Sequence, residues 1–342
     1  MDIGTHLLTS LALARGFFPR QPWRFLMAVV LAGTLADVDL FSLLFGPSAY
    51  LSARYTGTHS AFGVAAIVAL AAFLGRPLRQ KAGQPQKEVP GTTNFRTILT
   101  ATSAAALLHL FMDLATPQGV AIFWPLRQTR FAWDLLPATD IWILILLLGG
   151  LLLPELFALV GSEIGAKDKA PRGRNGALIA LSLICLYVGG RFLLHANAAA
   201  QLDAHTYHGE SPRGVAALPD SLSPFTWHGI VETASQICTT SVPAASASLF
   251  DPETSACVHK PEPSPALSAA QQTDAAQRFV RAARFPRASV NALPFGSEIA
   301  IRDVRDLVEG ESRFALAARI LLDAQGQVTS QRIVWARHVR LR

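Results

Sequence analysis

Five apolar runs lie before His195, and no comparable run follows: Phe25 to Phe45, Ala61 to Leu74, Ile98 to Ala115, Ile141 to Val160 and Ala177 to Leu194. A helix that spans a bilayer needs roughly 20 mostly apolar residues, so these runs are the candidates for membrane spans. With 342 residues, 51% hydrophobic and 16% charged, the chain is too apolar for an ordinary soluble protein and long enough for two domains. The expected fold is an α-helical polytopic membrane domain of about five to six helices. It covers residues 1–200 and is followed over 201–342 by a small α+β or mostly β soluble domain. Thr5 to Phe18 is shorter and carries Arg15, and is expected to be a partly inserted helix packed on the others. Met1-Asp2 offers no basic n-region and no small-residue cleavage site follows, so a signal peptide is not expected.

Charge predicts an orientation. Three connections hold Arg15, Arg20 and Arg24; Arg76, Arg79, Lys81, Lys87 and Arg96; and Lys167, Lys169, Arg172 and Arg174. The alternate connections, Gly46 to Ser60 and Thr116 to Asp140, hold Arg54, Arg127 and Arg130. The positive-inside rule puts the first set in the cytoplasm and the second outside, so the last span delivers the C-terminal half outside. The net charge of +6 is then mostly topology signal. No basic stripe with interleaved aromatics points to nucleic acid.

His109 and Asp113 stand four residues apart inside the run from Ile98 to Ala115, on one helical face. An ionisable group in hydrocarbon costs ~2.5 to 3.5 kcal/mol on insertion scales, so the pair needs a partner residue or a metal ion. His6, Asp37, Asp39 and His59 lie at the edges of other apolar runs, and the expected topology carries all six to the outer side. Imidazole and carboxylate are the donors of a zinc-type hydrolytic site. His6, Asp37, His59, His109 and Asp113 are the candidate ligands. Residues two apart on a regular helix point about 200° from each other, so Asp37 and Asp39 cannot both serve one ion unless the helix breaks. Gly33-Thr34 and Gly46-Pro47 allow such a break. Asp37 is taken as the ligand and Asp39 as base, bridging ligand or orienting group. The alternatives remain a non-catalytic scaffold in which a His/Asp cluster pins helices together, and a transporter with a proton relay. His59 has a further alternative, incidental placement at a helix start capped by Thr58 or Ser60. Arg127 and Arg130, after Trp124-Pro125, are placed to hold a substrate phosphate or lipid headgroups. Trp124 and Trp133 read as interfacial residues, and neither Asp134 nor Asp140 is expected to be a primary ligand.

Thr5-His6-Leu7-Leu8, Asp37-Val38-Asp39, Thr58-His59-Ser60, the stretch His109 to Gly119 and Trp124-Pro125 come in an order and spacing that resemble the YdjM-like membrane-bound metal-dependent hydrolases. Weaker similarity runs on at Ser223 to Trp227 and Ala283 to Pro286. That family is considered distantly similar to zinc-dependent phospholipase C. The resemblance therefore implies hydrolysis of phosphoesters, with phospholipids or other lipid-linked phosphoesters as substrates and an inner-membrane location. It implies a divalent metal of the zinc type. Ala36 stands where family members usually have Pro, and Arg54-Tyr55-Thr56 where many have His-Arg-Gly, which removes one possible ligand. The further His and Glu of the phospholipase cluster have no matching motif, so one or two ions are expected.

In the C-terminal half, Phe314, Leu316, Ala318, Ile320 and Leu322 alternate, Asp323 to Gly326 reads as a turn, and Val328 to Val339 resumes an extended pattern, which predicts a hairpin. Thr273 to Phe285 predicts a helix capped by Thr273 or Asp274. Lys260 to Ala270 reads as a flexible Pro/Ser/Ala loop or linker. His205, His208, His228, His259 and His338 show no convincing ligand spacing. Cys238 and Cys257 fall in the half expected outside, where they form a disulfide or remain two buried thiols.

Overall fold

A computed structural model describes residues 1–76, 94–163, 173–246, 250–308 and 315–336. Arg79, Lys81, Lys87, Lys167, Lys169, Arg172, Arg313, Phe314 and His338 lie outside the described residues, as does the end of the predicted extended stretch beyond 336. The chain divides into two compact units: 1–38, 57–127 and 131–192 form one, and 39–56, 128–130 and 193–342 form the other.

The first unit is helical. It contains α1 (Ile3–Phe17), α2 (Trp23–Ala32), α4 (Ala61–Leu74), α5 (Phe95–Leu114), α6 (Ile141–Glu163) and most of α7 (Arg174–Asp203), while α3 (Pro47–Ala53) falls in the other unit. Local sequence sets the helix starts. The Asp2 carboxylate accepts from Thr5 N–H, Ser60 Oγ from Gly63 N–H and Asn94 Oδ1 from Arg96 N–H, each satisfying an otherwise orphaned donor. The predicted run Phe25 to Phe45 is not one helix: α2 ends at Ala32 and the chain continues from Leu35 as a 3-10 helix to Phe45. The break falls at Gly33-Thr34, where helix propensity is lowest.

Two apolar clusters share α5. On one side Phe25, Val29, Val64, Ala71, Ile98 and Ala105 join α2, α4 and α5. On the other, Ala12, Met112, Ile143, Leu147, Ala177 and Ile184 join α1, α5, α6 and α7. A Cβ at Gly150 would meet Gly176 O at 2.6 Å, so α6 and α7 touch backbone to backbone through paired glycines, as membrane helices do. Asp140 is taken up structurally: its Oδ1 accepts from Trp142 and Ile143 N–H at the start of α6, and Oδ2 accepts from Tyr187 OH at 2.9 Å.

Among the described residues, three helices are long and apolar enough to cross a membrane, Phe95–Leu114, Ile141–Leu159 and Arg174–Asp203, or up to five if each of two bent helix pairs counts as one span. Only 17% of the apolar window of α6, and likewise of α7, is buried inside the protein. Leu148, Leu152, Leu156, Phe157 and Leu186 face outward. Apolar surface on this scale is unfavourable against water and neutral against hydrocarbon.

The second unit is mostly β. Strands β1 (Gly214–Pro219), β2 (Thr226–Glu232), β3 (Gln236–Pro243) and β4 (Ala256–His259) form an antiparallel sheet in sequential order. Its buried face, with Trp227, Val231, Cys238 and Val242, packs on Ala198 and Leu202 at the end of α7. A second antiparallel sheet comprises β5 (Pro286–Leu293), β6 (Gly296–Asp303), β7 (Leu316–Asp323) and β8 (Val328–Trp335). The expected hairpin is β7–β8, and Leu316, Ala318, Ile320 and Leu322 are buried as the alternation requires. Helices α8 (Pro265–Gln271) and α9 (Asp274–Ala282) cover that sheet through Leu267, Ala270, Ala276 and Phe279.

Two expectations change here. Lys260 to Ala270 is not simply a linker, because α8 starts within it. Ser264 Oγ accepts from Leu267 N–H, Pro265 occupies the first turn, and Leu267 and Ala270 are buried. The predicted helix from Thr273 ends at Ala282 rather than Phe285, with Thr273 as its cap. Phe285 instead leads into β5.

Candidate metal centre

The first turn of α1 presents His6, and the first turn of the 3-10 helix presents Asp37. His59 closes the short 3-10 turn before α4, and α5 supplies His109 and Asp113. All five are buried: His6 is 1% exposed, Asp37 3%, His59 0%, His109 3% and Asp113 0%. Asp113 is the hub. Its Oδ1 lies 3.1 Å from His6 Nε2, and its Oδ2 lies 3.0 Å from His59 Nε2 and 3.3 Å from His109 Nε2. Asp37 completes the set, 4.0 Å from His6 Nε2 and 3.9 Å from His59 Nε2. The terminal amine of Met1 also meets Asp113 Oδ1.

Backbone and hydroxyl groups aim the rings. His109 Nδ1 lies 2.9 Å from Gly33 O. A carbonyl only accepts, so Nδ1 carries a proton and, in the neutral ring, Nε2 presents a lone pair. That lone pair faces His59 Nε2 at 3.2 Å. Thr58 Oγ1 sits 3.1 Å from His59 Nδ1, leaving the His59 Nε2 atom directed inward. The rings of His6 and His109 stack at 3.8 Å between centroids. A second partner on the remote ring nitrogen is the usual way a ligating histidine is oriented.

This donor set fits a metal ion. The ligand atoms of His6, Asp37, His109 and Asp113 lie within 4.8 Å of one another. Bonds of 2.0–2.1 Å in tetrahedral geometry put neighbouring donors about 3.3 Å apart, and the hub distances of 3.0–3.3 Å come up to that value. Two carboxylates sunk among apolar helices match the charge of a divalent cation, although the Met1 amine already offsets part of the charge on Asp113. His6 Nδ1, buried without a hydrogen-bond partner among the described residues, shows that its ring is not held by that edge.

Asp37 and Asp39 both lie on the 3-10 helix that follows the break, and Asp39 has partners of its own. Asp39 Oδ1 accepts from Arg54 Nη1, and Oδ2 accepts from Tyr55 N–H at 2.8 Å. Arg54 lies over the Tyr55 ring, 4.1 Å from its centroid, and donates to Tyr55 OH. Arg130 Nη2 donates to Arg54 O at 3.0 Å, and the Arg127 side chain is exposed. Ser60 does cap α4, yet His59 is in the cluster as well, so the capping alternative does not exclude its site role. Trp133 is half exposed and meets Phe111 edge-on; Trp124 is exposed beside Gly57.

Two contributors escaped the sequence. The Gly33 carbonyl and the Thr58 hydroxyl orient ligands, and their sequence signal is proximity to the motif residues. Elsewhere in the helical unit Arg191, buried within α7, donates from Nε to Leu135 O at 2.9 Å.

Gly33 is where α1 and the end of α2 meet. A Cβ there would fall 1.8 Å from Ser10 Oγ and 2.9 Å from Ser10 Cβ. Gly33→Ala should therefore destabilise the helical unit by about 1–3 kcal/mol, the usual cost of overpacking. It should also weaken metal retention through His109. An unchanged unfolding midpoint would show that the close approach is not required.

Comparisons with curated proteins and with solved structures gave no match. A family model described as YdjM inner membrane protein matches residues 1–198. The match ends before the stretches at Ser223 to Trp227 and Ala283 to Pro286, where weaker similarity was read. It takes in each of the five buried ligand candidates and the apolar helices that carry them, and over that majority of its length the chain belongs to the YdjM family of inner membrane proteins.

Proposed function

We propose that this chain is a membrane-bound metal-dependent hydrolase of phosphoesters, with phospholipids or lipid-linked phosphoesters as the substrate class. The observation that carries the reading is the convergence of three imidazole Nε2 atoms on Asp113, with Asp37 alongside, inside an apolar helical unit. His6, Asp37, His59, His109 and Asp113 would hold one or two divalent ions, of which zinc suits this mixture of nitrogen and oxygen donors. Such an ion, when bound, supplies positive charge for phosphoryl oxygens and acidifies water.

The chain's own residues do the rest. The Gly33 carbonyl fixes the tautomer and ring orientation of His109, and the Thr58 hydroxyl orients the ring of His59. Asp39 takes a proton or orients water, while Arg54 and Tyr55 N–H hold its carboxylate in one place. Arg127 and Arg130 bind phosphate oxygens, for which a guanidinium is suited. Apolar walls exclude bulk water and strengthen each of these interactions.

Charge asymmetry between the connections supports a multi-pass topology with the second half outside the cytoplasm. The Cys238–Cys257 disulfide supports the same placement, since such bonds persist in oxidising compartments.

A purified preparation assayed for metal and for hydrolysis of phospholipids and soluble phosphoesters tests the reading. Asp39→Asn should cut turnover about 100-fold, in the range of a lost general base, and leave most of the metal in place. Equal losses of metal and turnover would assign Asp39 to ion binding instead, and hydrolysis that persists without metal would remove the proposed mechanism.

A further inference from the structure

The mostly β unit contains a cavity of about 350 Å³ lined by Lys260, Arg284 and Arg287, with Glu232 as its one acidic residue and Ile237, Leu267 and Phe285 among its apolar walls. Lys260 is already paired: its Nζ lies 2.6 Å from Glu232 Oε1 and 2.8 Å from Thr233 O. Arg287 is not. Its Nε is buried with no hydrogen-bond partner, and no ion pair to it exists among the described residues. Nearby arginines are provided for differently, since Arg319 meets Glu298 and Arg305 meets Asp303.

Strand register sharpens the anomaly. Arg287 on β5 stands directly opposite Arg302 on β6, and Arg302 is 3% exposed. Like charges directly opposite each other on one face of a sheet are destabilising. Burial lowers the Arg287 pKa, with no carboxylate opposing the shift. A guanidinium drawn half into a cavity at this cost is best matched by an acceptor that arrives from outside the chain. Guanidinium pairs planar or tetrahedral oxyanions through two parallel hydrogen bonds, and the apolar wall would take carbon attached to that oxyanion.

We propose that this cavity is a binding site for a phosphate-bearing small molecule with an apolar portion, anchored by Arg287. The site lies wholly within the second unit and stands independently of the proposed hydrolase reading. Its occupant is a phosphomonoester in either free or lipid-attached form, and the two forms are separable by experiment.

Calorimetry on the full chain in a neutral detergent tests this, with inorganic phosphate and dihexanoyl phosphatidic acid as probes. At least one should bind saturably at one per chain, and Arg287→Ala should weaken it about tenfold or more, as loss of a charge-assisted pair does. Arg287→Lys should bind with intermediate affinity. Arg278→Ala should match the parent, because Arg278 is engaged with Asp274 on α9. Binding of phosphatidic acid alone assigns the lipid form, and equal binding of both assigns the free anion. Absence of saturable binding by both probes, or equal affinity in Arg287→Ala, would overturn the proposal.

Discussion

On the proposed hydrolase reading, His109→Ala and Asp113→Ala proteins are expected to lose both bound metal and phosphoester hydrolysis. Asp113 contacts all three imidazoles of the cluster, and His109 joins it to His59 and to the Gly33 carbonyl, so each removal opens the donor set at its centre. Deleting one partner of a buried charged pair also costs about 3–5 kcal/mol through the group left behind. For that reason His109→Asn and Asp113→Asn belong in the same experiment: they preserve polar volume, should fold, and should still fail to retain metal. A cluster that merely pins helices together would behave in the opposite way, with alanine variants unfolding and asparagine variants keeping whatever metal the parent holds. Stoichiometric metal in folded His109→Ala would remove that residue from the ligand set.

Breaking the cross-strand bridge in the second unit should have the next largest effect. Cys238 and Cys257 are register partners on β3 and β4, with Cα atoms 4.0 Å apart, and are joined by a disulfide 19 residues apart in sequence. A loop of this size restricts the unfolded chain by about 3 kcal/mol. β4 is only four residues long and mostly exposed, so the bridge is a main tie between that strand and the sheet. Replacing both cysteines with alanine should lower the stability of this unit by that amount, read from chemical denaturation, and dithiothreitol should do the same to the parent. If both thiols of natively localised, denatured protein react with a maleimide in the absence of reductant, the bridge is not formed in the cell.

The site was largely readable from the chain because its chemistry is costly where it stands. A histidine and an aspartate four residues apart in an apolar run demand compensation, and His6, Asp37 and His59 at the edges of neighbouring runs are the residues that the structure brings to them. Giving Asp37 and Asp39 different duties on helical angle assumes a regular helix, whereas both sit on a 3-10 helix after the break at Gly33-Thr34. Backbone contributions were hidden: nothing in residue type says that Gly33 O will meet His109 or that Thr58 will meet His59.

Legibility fell off in the second half for a different reason. The β7–β8 hairpin showed itself through large apolar residues at every second position and a turn of Asp, Gln and Gly, although the small Ala317 between them is buried too. In β1 to β3 the buried faces come in consecutive runs, such as Ala216 to Leu218 and Gly229 to Val231, so period-two patterning is lost. Helix α8 was obscured by its prolines, yet Pro265 directly after Ser264 is a helix start rather than a breaker.

Metal analysis of the parent protein, purified without chelator and repeated after stripping and reloading with zinc, tests the central claim most directly. The account predicts one or two divalent ions per chain, restored on reloading, with an absorption edge reporting nitrogen and oxygen donors and no sulfur. A folded protein that neither retains nor takes up a divalent ion would contradict it.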